Sequence, residues 1–244
     1  MTAGGADPRT PDVANLQRIA LKIFLDDKSV LEPSDVIPVF HRWIQTQAVD
    51  GLLIDVADYS HMATGPCVLL VAHEGHYVLD RAGGRLGLQY ARRQPLDGAL
   101  PDRLVALGRI LLRAGQLLET DTSLPGPVRF RGHEIECIAN DRLLAPNRAE
   151  TLTAFRPALD GFLTTLSAGA SWTLTREADP RARFGVLAHT PGAATLDTIA
   201  ARLRQRHASD HPDDGRRSSA PPGRAARAEA SAPVSPAPAG SGSE

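Results

Sequence analysis

Apolar and polar positions alternate in blocks that change period along the chain, and those changes mark the elements. Ile19 to Leu25 is a run of branched and aromatic residues, which predicts a strand. Val36, Ile37, Phe40, Trp43, Ile44 and Gln47 then load one face at helical spacing, with Ser34 as the expected cap and Pro38 near the first turn. Gly51 closes that stretch, Leu52 to Val56 starts a second strand, and Pro66 to Ala72 is apolar without alternation, as in a strand covered on both faces. Tyr77-Val78-Leu79, Gly83-Gly84 and the series Leu86, Leu88, Tyr90 predict a hairpin. Leu104, Leu107, Leu111, Ala114 and Leu118 predict a helix.

The second half repeats much of this order. Val128 and Phe130, the pair Gly132-His133, then Ile135 and Cys137 read as another hairpin. Asn147 with Glu150 forms a capping pair ahead of a helix bearing Leu152, Phe155, Leu159, Phe162, Leu163 and Leu166, with a kink or short turn expected at Pro157. Trp172 and Leu174 alternate with polar residues, Phe184 to Ala188 forms a strand, and Leu196, Ile199, Ala200 and Leu203 a last helix. Leu70-Val71-Ala72-His73 answers Val186-Leu187-Ala188-His189, and Gly51 answers Gly169. The expected fold is therefore α+β: an internally duplicated β-α-β-β unit, mostly antiparallel, with helices on one face of the sheet or sheets. The β-α-β step of each copy also allows a parallel neighbour. The expected divisions are an unstructured arm over 1–13, copies over 14–122 and 123–207, and a disordered tail rich in Pro, Ala and Arg over 208–244.

A formal net charge of −1 argues against a dedicated nucleic-acid binder. No apolar run reads as a membrane span or signal segment, so the expectation is a cytoplasmic protein. Cys67 and Cys137 fall in apolar runs and read as buried free thiols. The densest polar grouping is Asp55, Asp58, Tyr59 and His61 with His73, Glu74 and His76, which strand ends and a loop could gather at one sheet edge. Four readings stand open for it. His73 or His76 with His61 and Asp58 could ligate a metal, although His-Glu-Gly-His lacks the i, i+4 spacing that places two histidines on one helix face. His73 oriented by Asp55 or Asp58 could act as a general base. The group could form the polar rim of a binding surface for a protein partner or small molecule, or simply be solvated strand ends. The residues name no cofactor.

Ile37-Pro38-Val39-Phe40-His41-Arg42-Trp43-Ile44, Leu53 to Tyr59 and Asn140 to Asn147 together resemble a family of uncharacterised bacterial proteins over most of residues 14–190. That family has no assigned activity, so the resemblance implies no catalytic residue, and the tail extends past the family's usual end. The combined expectation is a non-catalytic binding or accessory module, with a hydrolase-type enzyme built on the His/carboxylate group as the alternative.

Overall fold

In the computed structural model, which describes residues 10–62, 65–192 and 194–210, Ile19–Leu25 (β1) lies near the middle of one eight-stranded sheet. The other strands are Leu53–Asp58 (β2), Pro66–Ala72 (β3), Gly75–Asp80 (β4), Gly87–Arg92 (β5), Phe130–Ala139 (β6), Thr173–Arg176 (β7) and Gly185–His189 (β8). Their order is β2-β3-β4-β5-β1-β6-β8-β7, and every neighbouring pair is antiparallel. The helices are Val36–Thr46 (α1), Leu100–Glu119 (α2), Ala149–Ser167 (α3) and Leu196–Asp210 (α4). The fold is α+β, as expected.

Strand alternation decides which face the helices cover. Ile19, Leu21 and Ile23 join Tyr77, Tyr90 and Ile135 in the same core as Trp43, Leu111 and Phe162 from the helices. Ala20, Lys22 and Phe24 point to the opposite face. The α2 stripe predicted from spacing is fully buried. α1 packs against β2 and β3, α2 against β1 and β5, and α4 against β6, while α3 packs against α2 and α4.

Several local expectations give way to tertiary packing. No strand has a parallel neighbour, because each helix carries the chain past the adjacent position: β2 lies four places from β1, and β7 two places from β6. Gly132-His133 is not a turn. β6 runs straight through it, and its register against β1 slips between Ile23 and Leu25. A Cβ on Gly132 would collide with the Ala194 carbonyl and come within 3.0 Å of Ile199 Cδ1. Close approach, rather than chain reversal, is what requires glycine there.

α1 starts after a 3-10 turn, Pro33–Asp35, in which the Asp35 carboxylate accepts from the Glu32 N–H at 2.8 Å; Ser34 is not its cap. Gln47 leaves the apolar stripe and ends α1 at φ 50°. α3 includes Pro157 within a single helix and has Arg148 at its N-cap, not Asn147. The chain is already ordered at Asp12, whose N–H donates to the Leu144 carbonyl at 2.9 Å, ahead of the buried Val13. α4 extends to Asp210, and the remainder of the tail, 211–244, lies outside the described residues.

The order strand, helix, strand, strand recurs in both halves, and β1 and β6 lie side by side. The strands matched by sequence nevertheless occupy different places. β8 adjoins β6, whereas β4 and β5 separate β3 from β1, so β5 stands where β8 does. The two halves form one continuous sheet, and residues 10–210 make up one unit.

Candidate functional site

The sheet face away from the helices carries a group of buried and half-buried polar side chains. It begins with Lys22, which interrupts the apolar β1 run and has none of its surface exposed. Register sets Lys22 beside Gln89 of β5 and Glu136 of β6. Its ammonium donates to Asp80 Oδ2 at 2.6 Å, to the Arg85 carbonyl at 3.0 Å and to the Ala82 carbonyl at 3.3 Å. An ammonium has three N–H bonds, so Lys22 is saturated and ties down the β4–β5 turn.

That turn supplies one wall. The Arg85 guanidinium lies 3.9 Å from the centre of the Phe24 ring and pairs with Glu134, which Arg131 also approaches at 3.5 Å. The opposite wall is the β7–β8 loop, held by Asn147. The buried Asn147 amide donates to the carbonyls of Asp179 at 2.7 Å and Glu177 at 3.1 Å, and its oxygen accepts from Arg176 at 2.7 Å. Arg183 donates to Asn140 Oδ1 at 2.6 Å. The two walls rise from opposite ends of the strands, since Gly87 aligns with Phe24 of β1 whereas Gly185 aligns with Ile138, the partner of Ala20.

Between them lies a recess of about 420 Å³. Phe24, Ile138 and Leu187 give it apolar surface, while Gln89 and Glu136 give it polar groups. Most surrounding side chains are engaged, but neither the Gln89 amide nor the Glu136 carboxylate has a hydrogen-bond partner among the described residues. Burial pushes the Glu136 carboxyl above its ordinary value of 4.5, against the pull of Lys22 and Arg183. No known family model matches the chain. Comparison with curated proteins and with solved structures likewise returns no match.

The residues singled out from the sequence fall into two groups. Asp58, Tyr59 and His61 stand at the β2–β3 end; Asp58 Oδ1 accepts from the Ser60 N–H at 2.8 Å, and Tyr59 and His61 lie with ring centroids 6.5 Å apart. His73, Glu74 and His76 stand at the β3–β4 end, one strand length away, or roughly 17 Å at the usual rise per residue. Asp55 lies between them on β2 and accepts from the neighbouring Val56 N–H.

The strand-end groups therefore do not converge on one point, and no group of three potential metal ligands exists among the described residues. Glu74 has a structural task. It accepts from the Leu52 N–H at 2.8 Å, and that hydrogen bond leads in holding its carboxyl below the usual range. His76 is kept toward its neutral form, first by burial and then by the Arg93 charge.

The raised Glu136 value has a measurable sign. Between 4.5 and the folded-state value, the folded chain binds more protons than the unfolded one, so this group lowers stability progressively as pH rises through that window. Glu136→Gln is expected to be more stable than the parent at pH 7, with the advantage vanishing below 4.5. Urea unfolding of both proteins across this range checks it, and a constant difference at all pH values would contradict it.

Proposed function

We propose that this chain is a non-catalytic binding module that takes up a small amphipathic molecule in the open-face recess. The molecule's hydrogen-bond-donating end meets Glu136 and Gln89, and its apolar part lies on Ile138 and Leu187. The observation supporting this is the pair of polar side chains, Gln89 and Glu136, facing a recess of about 420 Å³ without protein partners among the described residues, while most other polar side chains of the walls are hydrogen-bonded. Ligand sites typically combine such an apolar lining with a few convergent polar groups. A binding role suits Lys22 in particular, because an ammonium committed to three acceptors has no lone pair to offer as a nucleophile. The hydrolase alternative draws no support from the strand-end histidines, which lie at two separate ends of β3.

Benzylammonium is a suitable probe, having a donor end and an apolar ring. Titrated into nitrogen-15-labelled protein, it is expected to shift the Gln89 side-chain amide and the β6 and β8 amides saturably. Glu136→Gln, which removes the charge but keeps an acceptor, should weaken the effect about tenfold. Shifts that do not saturate, or that persist unchanged in Glu136→Gln, would refute the reading.

A further inference from the structure

A second recess, of about 200 Å³, lies between α2 and α4 and is lined by Asp50, Arg109, Arg113, Gln116, Ala200 and Arg204. Arg109 and Arg113 are one helical turn apart, so they share a face of α2, and Arg204 reaches the same space from α4. Like charges at that spacing repel and destabilise a helix. Elsewhere most arginines are tied down: Arg103 to backbone carbonyls, Arg42 to Asp121, Arg85 to Glu134, Arg183 to Asn140. None of the three arginines here has a hydrogen bond or ion pair among the described residues, and the one carboxylate in the lining, Asp50, makes no ion pair with them. Gln116 is turned aside by its hydrogen bond to Asp197 Oδ1. The small side chain of Ala200 leaves the space unfilled.

Three guanidinium groups and one carboxylate leave the lining two positive charges in excess. We propose that this recess is a second binding site, separate from the open-face one, for the dianionic phosphate group of a small soluble phosphomonoester. Guanidinium forks match phosphate oxygens in pairs, and a dianion offsets the excess charge. The size suits a phosphate group with a short attachment rather than a polymer.

The test titrates inorganic phosphate into the whole chain at low ionic strength, with chloride at matched ionic strength as reference. Binding is followed by calorimetry and by the arginine Nε–H signals. Saturable binding of one phosphate per chain is expected, moving the Arg109, Arg113 and Arg204 signals. Arg113→Gln, at an exposed position, should weaken binding at least tenfold without lowering the thermal midpoint, since it also relieves the repulsion from Arg109. Arg142→Gln, which removes an exposed arginine outside the recess, should leave binding unchanged, as should Glu136→Gln in the other recess. Unsaturable shifts equal to those with chloride would overturn the proposal. So would equal losses in Arg113→Gln and Arg142→Gln, because the response would then reflect net charge alone.

Discussion

Replacing Lys22 with methionine is expected to lower the unfolding free energy by about 3–5 kcal/mol, the usual cost of removing one member of a buried ion pair. Methionine matches the length of the stem, so little packing is lost. What is lost is the ammonium that neutralises Asp80 and serves the carbonyls of Ala82 and Arg85. Asp80 would then stand buried with one backbone N–H, that of Ala82 at 3.2 Å, as its remaining partner. Adding Asp80→Asn should restore part of the loss, because the amide keeps an acceptor for Ala82 without carrying charge. Urea unfolding with unchanged denaturant slope measures both steps. A loss under about 1 kcal/mol for Lys22→Met would mean that the pair is worth no more than an exposed one.

Gly87→Ala is expected to cost about 1–3 kcal/mol, the range for forcing extra volume into a close-packed site. The added Cβ would run into the Ile23 carbonyl oxygen and approach Lys22 Cε at 3.0 Å. The carbonyl belongs to the central strand and cannot swing away as a flexible side chain would. β5 must therefore separate from β1 where Gly87 pairs with Phe24. The damage should be local: amide exchange is expected to accelerate at Phe24 and Leu25 first, with β2 and β3 little affected. Uniform acceleration across the sheet would point instead to global destabilisation.

Elements with a strong period were legible in the sequence. Leu104 to Leu118 on α2 and Phe155 to Leu166 on α3 pack as their spacing implies, because burial of one helical face is encoded locally. The Gly83-Gly84 hairpin was legible from its turn glycines between two apolar runs, and the buried free thiols of Cys67 and Cys137 from the apolar runs that hold them. Strand partners were not. β1 pairs with β5 and β6, both distant in sequence, and no local signal distinguishes β5 from β3 as its neighbour. Gly132-His133 carries turn composition, but its glycine serves the approach of the Ala194 backbone from a loop some sixty residues later.

Asn147 was legible as a polar residue at the start of a helix, yet its side chain turns to the β7–β8 loop, where three hydrogen bonds outweigh one cap. The candidate chemistry suffered most. Asp58, His61, His73 and His76 are close in sequence, although the antiparallel meander β2-β3-β4 sends its two turns to opposite ends. The recess residues lie far apart along the chain. One clue was available: a lysine at the centre of Ile-Ala-Leu-Lys-Ile-Phe-Leu is costly in a buried strand unless something receives its charge.

The central position of β1 also bears on biosynthesis. A ribosome delivers this strand before either neighbour, since one is complete only at Arg92 and the other only at Ala139. Until Arg92 is made, a seven-residue segment of high β propensity has two unsatisfied edges, and one stays open until Ala139, the situation in which nascent chains associate with one another. Lys22 divides that segment into two apolar triplets, and a hydrated charge at its midpoint opposes self-association until Asp80 arrives. The residue that anchors the finished sheet is thus also the charge that interrupts the apolar run of its central strand.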